Sequence, residues 1–156
     1  MIKNISSFTA KTKGLKPAIE GILITPDKIV ATDSFKLIEI SEKTGVNDTF
    51  IVQLPKGLKT FDRIERIGTG SNIYHKTAKY EVARNCEEAF PDYLKVIPEE
   101  GSESITITVN PEYLKDIAEA FSGENKIILK YYGDKKPIVF SNEKKTIKAL
   151  LMQIIV

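Results

Sequence analysis

The sequence predicts an α+β fold in which antiparallel sheets carry two helices packed on one side of them. Two observations predict this class. Short apolar runs of strand length recur along the chain and are joined by turn signals. Between these runs, two segments place apolar residues at the three-to-four spacing of a helix. The chain has 156 residues and a formal net charge of +2, a size that fits one domain or one and a half.

Strands are predicted wherever β-branched and aromatic residues cluster between turn residues. The clearest is 105–109, where Ile and Thr alternate strictly up to Val109, as in a half-buried strand. The other predicted strands are 19–24, 29–31, 37–40, 50–54, a segment near 66–69, 73–74 with 79–83, 126–132, 137–141 and 146–156.

The better of the two predicted helices covers residues 111–121. Asn110 suits the N-cap, and Pro111 suits the first helical position. Gly123 suits the stop beyond the last turn. The second predicted helix covers 56–67, and a third, short helix near residues 6–13 is open.

The order of these elements suggests two β-α-β-β-β units, at residues 50–83 and 105–156, with the N-terminal segment as a shortened third copy. We therefore expect a first domain at 1–96, a linker at 97–104 that holds Pro98 and Gly101, and a half-domain at 105–156. One compact domain is the alternative.

Composition excludes several functional classes. With one Cys and one His, a disulfide within the chain is impossible and a Cys/His zinc site is nearly so. No catalytic constellation is present, so we expect neither enzymatic activity nor a cofactor. No apolar run reaches the length of a membrane span, and the first residues lack the apolar centre of a signal peptide. A cytoplasmic protein without a membrane partner is expected.

Three segments of the chain have a recognisable character. The first is 30–37, Val-Ala-Thr-Asp-Ser-Phe-Lys-Leu, and the second is 90–98, Phe-Pro-Asp-Tyr-Leu-Lys-Val-Ile-Pro. The third combines 110–114, Asn-Pro-Glu-Tyr-Leu, with the end of the chain at 150–156. In this order they resemble segments of the bacterial DNA polymerase sliding clamp, the beta subunit of the replicative polymerase. The resemblance implies a DNA-clamp-like fold that keeps a shortened middle domain and the second half of the last domain.

In the clamp family, the same three places build a pocket for short peptides of polymerases and repair proteins. Such a groove needs an apolar floor and a few polar groups that orient the peptide. The resemblance carries this pocket onto thirteen positions: Ile19, Thr32, Ser34, Phe35, Lys36, Leu37, Pro91, Lys95, Val96, Leu151, Met152, Gln153 and Ile154.

The predicted helix at 56–67 carries four basic residues at spacings of three and four, opposite its apolar side. In a clamp ring the helices line the hole, so this face is expected to meet the phosphates of duplex DNA without reading sequence. An ordinary solvated face of an amphipathic helix explains the same pattern. The four residues are Lys56, Lys59, Arg63 and Arg66.

Two functions remain open from the sequence. The first is a sliding-clamp-like replication or repair accessory, a processivity-type factor that forms homo-oligomers, binds partner peptides and encircles or contacts duplex DNA. The second is a clamp-derived adaptor that binds proteins without binding DNA. The salt dependence of DNA binding separates the two.

Overall fold

The computed structural model describes residues 2–154, with the side chains described from residue 4 onward. The chain divides into two compact units, Met1–Ile97 and Pro98–Val156. The architecture is α+β, with antiparallel strand pairing in every described sheet and two α-helices. This coarse fold class is confirmed.

Unit 1 contains nine strands, one short α-helix and two 3-10 helices in its described residues. The strands and the α-helix are β1 (Ile2–Lys3), α1 (Pro17–Glu20), β2 (Ile22–Ile24), β3 (Lys28–Thr32), β4 (Leu37–Ser41), β5 (Phe50–Val52), β6 (Thr60–Phe61), β7 (Arg63–Ile67), β8 (Gly70–His75) and β9 (Ala78–Val82), and the 3-10 helices are Ile5–Phe8 and Tyr93–Val96. A four-stranded sheet has the order β4-β3-β2-β5, a three-stranded sheet has the order β7-β8-β9, and β1 pairs with β6.

The four-stranded sheet is buried on both faces, which explains why its central strands are apolar at successive positions. Alternate residues of a strand point to opposite faces. Ile22 and Ile24 join the main core of unit 1, whereas Leu23 between them joins a second, smaller cluster. This second cluster, here called the lower cluster, consists of Ala18, Leu23, Val30 and Ile51. The lower cluster positions the candidate site described below.

Unit 2 consists of one helix and one three-stranded antiparallel sheet. The helix is α2 (Pro111–Ala120), and the strands are β10 (Ile128–Lys130), β11 (Ile138–Ser141) and β12 (Lys148–Leu151) in that order. The Asn110 side chain accepts a 2.9 Å hydrogen bond from the Glu112 amide, so the predicted N-cap and helix are confirmed. The buried core of unit 2 is small: Phe121, Ile138, Phe140 and Leu151.

The helix predicted at 56–67 is wrong. Lys56 and Gly57 form a β-turn in which the Leu58 amide donates to the Pro55 carbonyl at 3.0 Å. Gly57 has a φ of 84°, which a helix does not allow. Beyond the turn the chain is extended and forms β6 and β7. The three apolar residues that suggested the helix are buried all the same, but they reach the core from a turn and two strands: Leu58, Phe61 and Ile64.

The strand predicted at 105–109 is also wrong. These residues belong to no strand, although the Ile154 amide donates to the Thr108 carbonyl at 2.8 Å. The two expected β-α-β-β-β units are therefore absent. Residues 50–82 contain strands and turns but no helix, and no strand directly precedes α2. The last predicted strand is formed over Lys148–Leu151, and its final two residues lie outside the described part.

Candidate peptide-binding site

The loop that follows β3 is fixed by a dense set of local hydrogen bonds. The Asp33 carboxylate accepts from the amides of Phe35 and Lys36, both at 3.0 Å. The Thr32 hydroxyl donates to the Lys36 carbonyl at 3.0 Å, and Ser34 lies in the left-handed region with a φ of 78°. The two backbone hydrogen bonds lower the pKa of Asp33, the bond from Phe35 being the larger cause. The loop is thus held in one conformation with an ionised Asp33 at its base.

This loop presents Phe35 to solvent and turns Leu37 inward. The Phe35 side chain is 97% exposed, an unusual position for an aromatic residue. Leu37, at the start of β4, is half-buried and packs against the lower cluster. Of the two apolar side chains in the loop, Leu37 therefore suits a groove floor, whereas Phe35 protrudes.

The segment after Cys86 returns to the same lower cluster. Phe90 and Tyr93 both pack against it, with their rings edge to face at a centroid distance of 6.3 Å. A 3-10 helix over Tyr93–Val96 follows, in which Lys95 pairs with Asp92 at 2.8 Å. The loop at 32–37 and the segment at 90–96 thus meet on one set of buried residues within unit 1.

An ion pair of the four-stranded sheet, Lys28 with Glu39, influences Tyr93 of this segment. The Lys28 ammonium lies 3.0 Å from Glu39 Oε1, and this hydrogen bond raises the pKa of Lys28. Burial raises the pKa of the Tyr93 hydroxyl, and the nearby Glu39 carboxylate raises it further. Tyr93, Glu39 and Lys28 were not among the predicted site residues. The only sequence signal for Tyr93 is its place in the Phe-Pro-Asp-Tyr segment, and no local pattern connects it to β3 and β4.

Several apolar side chains remain in solvent next to these contacts. Leu94 is 60% exposed and Val96 is 71% exposed on the 3-10 helix, and Pro91 precedes it. Ile19, in contrast, is buried in α1 and has little surface to offer a peptide. In these two segments of unit 1, the large apolar side chains exposed for contact with a peptide are therefore Phe35, Leu94 and Val96.

The carboxyl-terminal residues of the predicted pocket belong to unit 2, where they divide into two kinds. Leu151 is only 4% exposed and packs in the core of that unit. The Gln153 side-chain amide donates to the carbonyls of Gly133 and Lys136, at 3.0 and 2.8 Å, and so fastens the end of the sheet to a turn. Met152 and Ile154 are exposed and free to contact a ligand. The convergence of these residues with the segments of unit 1 stays a prediction.

The single basic face expected for DNA contact does not exist. Arg63 and Arg66 lie on β7, where an odd separation places side chains on opposite faces. Lys56 and Lys59 lie in the loop before β6 and are exposed. The four basic residues would lie on one face only if residues 56–67 formed a helix. Because this segment forms a turn and two strands instead, that helix face is not formed.

Both arginines are engaged within the protein. The Arg63 guanidinium lies 3.0 Å from Glu65 and stacks over the Tyr74 ring at 4.2 Å. Arg66 lies 3.1 Å from Asp48 and over the Phe50 ring at 5.4 Å. A phosphate that contacts either arginine competes with these carboxylates, which reduces its net gain.

The described residues also lack two other kinds of feature, a metal-ligating cluster and a membrane-spanning helix. Residues 2–154 contain no group of three or more His, Cys, Asp and Glu side chains placed to hold a metal ion. In the same range, no helix has both the length and the apolar character needed to cross a bilayer. Comparison with protein-family models and with curated proteins found no match to this chain.

Proposed function

We propose that this protein is a sliding-clamp-like accessory factor of DNA replication or repair that binds short peptides of partner proteins. One observation carries the proposal. Two of the three segments that resemble the clamp family, the loop at 32–37 and the segment at 90–96, pack on the same lower cluster in unit 1. The clamp-like arrangement of the whole chain is part of this proposal.

The chemistry of these segments suits an extended peptide with apolar anchors. Peptide grooves gain most of their affinity from a few buried apolar contacts. Leu37 offers a partly buried floor, and Phe35 and Val96 offer exposed apolar surface on either segment. The hydrogen bonds at Asp33 hold the loop in place before a ligand arrives, which reduces the entropy lost on binding.

A second candidate function is a protein-binding adaptor that does not bind duplex DNA. The ion pairs Arg63–Glu65 and Arg66–Asp48 favour it, because they occupy the two arginines that were expected to meet phosphates. Duplex binding that falls steeply with salt supports the clamp-like factor, and the absence of duplex binding supports the adaptor.

Fluorescence anisotropy with a labelled clamp-binding peptide, which contains a Gln and a Leu-Phe pair, tests the proposal. We expect a micromolar dissociation constant, about −8 kcal/mol. The variant Phe35→Ala/Val96→Ala should weaken binding by roughly a hundredfold or more, because burial of each side chain contributes about 1.5–3 kcal/mol and each 1.4 kcal/mol is about tenfold. The matched control is Leu15→Ala/Ile67→Ala, which removes two other exposed apolar side chains of unit 1. Equal affinity of the two variants contradicts the proposed site.

A further inference from the structure

A second concave surface of unit 1, away from the lower cluster, is rich in basic and polar groups. It is a cleft of about 430 Å³ formed by the N-terminal segment and the loop before β6. Three lysines line it, and a single carboxylate, Glu20, lines it with them. The lining comprises Asn4, Ser6, Ser7, Thr9, Lys11, Glu20, Leu54, Pro55, Lys56, Gly57, Leu58 and Lys59.

The three lysines are available to a ligand. In the described part of the chain, Lys11, Lys56 and Lys59 form no ion pair, although many other basic side chains of the protein do. Glu20 is already engaged, because its carboxylate accepts from the Thr12 hydroxyl and, at 2.7 Å, from the Gly14 amide. These hydrogen bonds lower the pKa of Glu20, the bond from Thr12 being the largest cause. The cleft therefore has an excess of positive charge: three lysines without an ion pair and one carboxylate that already accepts two hydrogen bonds.

Neutral donors accompany the lysines. The hydroxyls of Ser7 and Thr9 already donate to the carbonyls of Asn4 and Ser6, at 2.7 and 3.1 Å. The side chains of Asn4 and Ser6 form no hydrogen bond with other described residues, so they retain a free amide and a free hydroxyl. None of the described lining residues is aromatic, so the cleft offers no stacking surface for a base.

The sequence contains a basic repeat, one copy of which lines this cleft. Lys-Gly-Leu-Lys occurs at 13–16 and again at 56–59. In both copies the leucine amide donates to the carbonyl three residues earlier, at 3.3 Å in the first and 3.0 Å in the second. Both glycines have positive φ, 88° for Gly14 and 84° for Gly57. Two tight turns therefore each carry a pair of lysines, one turn lining the cleft and the other following Lys11 in the chain.

We infer that this cleft binds phosphate groups. Ammonium groups and neutral donors directed at one concavity recognise tetrahedral oxyanions, and lysine does so as a point charge. The lysines come from two segments that line the cleft, Lys11 from the N-terminal segment and Lys56 with Lys59 from the loop before β6, so the cleft suits a ligand with two phosphate groups better than a single ion. Such a ligand is either a free diphosphate or two neighbouring phosphates of a nucleic-acid backbone. The inference is independent of the peptide-binding proposal, because the two sites share no residue.

Isothermal titration with sodium pyrophosphate at constant ionic strength tests the inference. The variant Lys11→Gln/Lys56→Gln/Lys59→Gln should lose pyrophosphate affinity by roughly tenfold per lysine, because each forms a charge-assisted hydrogen bond. The matched control is Lys43→Gln/Lys76→Gln/Arg84→Gln, which removes the same charge from exposed positions of unit 1 that do not line the cleft. The control should change affinity by less than about twofold, and both variants should keep the wild-type melting temperature, because exposed charges contribute little to stability.

A second arm with a short blunt DNA duplex distinguishes the two sources of phosphate. If the backbone is the ligand, duplex binding falls in the cleft variant, and its logarithmic salt slope becomes smaller by roughly 2–3. If a free diphosphate is the ligand, only pyrophosphate binding is lost. Absence of binding to both probes, or an equal loss in the control variant, overturns the inference.

Discussion

Replacement of Leu151 by alanine tests the distinction between the core residues of unit 2 and its exposed residues. Leu151 is 4% exposed and is one of four buried residues in the unit's core, whereas its neighbour Met152 is 61% exposed. Leucine-to-alanine changes at buried sites cost about 2–5 kcal/mol. At about 0.05–0.15 kcal/mol per residue, a unit of this size has a stability of roughly 3–9 kcal/mol. Leu151→Ala therefore removes a large share of it, and Met152→Ala removes little.

Hydrogen–deuterium exchange measured by mass spectrometry is the suitable assay, because it reports on each unit separately. The sensitive amides lie in β11 and β12, where Ile138 pairs with Leu151 and Val139 pairs with Leu150. A loss of about 2 kcal/mol accelerates their exchange by roughly thirtyfold. Met152→Ala is the matched control. The reasoning is refuted if Leu151→Ala leaves protection unchanged, or if both variants lose it equally.

Three further perturbations follow from single contacts. Because the pKa of Tyr93 is raised by burial and by a neighbouring carboxylate, the folded state resists its ionisation, so the free energy of unfolding should fall as pH rises above about 10; urea titrations across that range should show less of this fall in Tyr93→Phe. Asn142 is fully buried with three side-chain hydrogen bonds, so Asn142→Ala should cost about 2 kcal/mol in chemical denaturation, and the exposed Asn47→Ala should cost almost nothing. A Cβ at Gly70 lies 2.4 Å from the Val82 carbonyl oxygen, so Gly70→Ala should lower thermal stability by about 1–3 kcal/mol through displacement of β9.

Each of these predictions can be contradicted. If the unfolding free energy of Tyr93→Phe falls with rising pH as steeply as that of the wild type, a group other than Tyr93 causes the fall. Equal costs at the two asparagines contradict the role given to the buried amide. An unchanged melting temperature in the glycine variant contradicts the close approach of the two strands.

The sequence predicted α2 and most of the described strands because their signals are local, but it failed at 105–109, where the alternation is strictest and no strand forms. Asn110 and Pro111 define the start of α2 without reference to the rest of the chain. The failure at 56–67 has a physical cause: apolar residues three apart also fit a turn followed by two short strands. The decisive local signal is Gly57, whose positive φ closes the turn and is costly within a helix.

The site was predictable only in part, for a related reason. The loop at 32–37 follows from its Thr-Asp pair, because short polar side chains form hydrogen bonds with nearby backbone amides. The effect of Glu39 on the pKa of Tyr93 involves residues far apart in sequence, and no pattern along the chain encodes it. The burial of Leu151 also depends on residues brought together by folding. Hydrogen bonds between residues close in sequence could be predicted, whereas contacts between residues far apart in sequence could not.

The most direct test of the proposed function is a two-dimensional NMR titration of the labelled protein with the clamp-binding peptide. The account predicts that amide shifts concentrate in the loop at 32–37 and in the segment at 90–96. Shifts confined to other surfaces, or no shifts at saturating peptide, contradict the proposal that this protein binds partner peptides at that site.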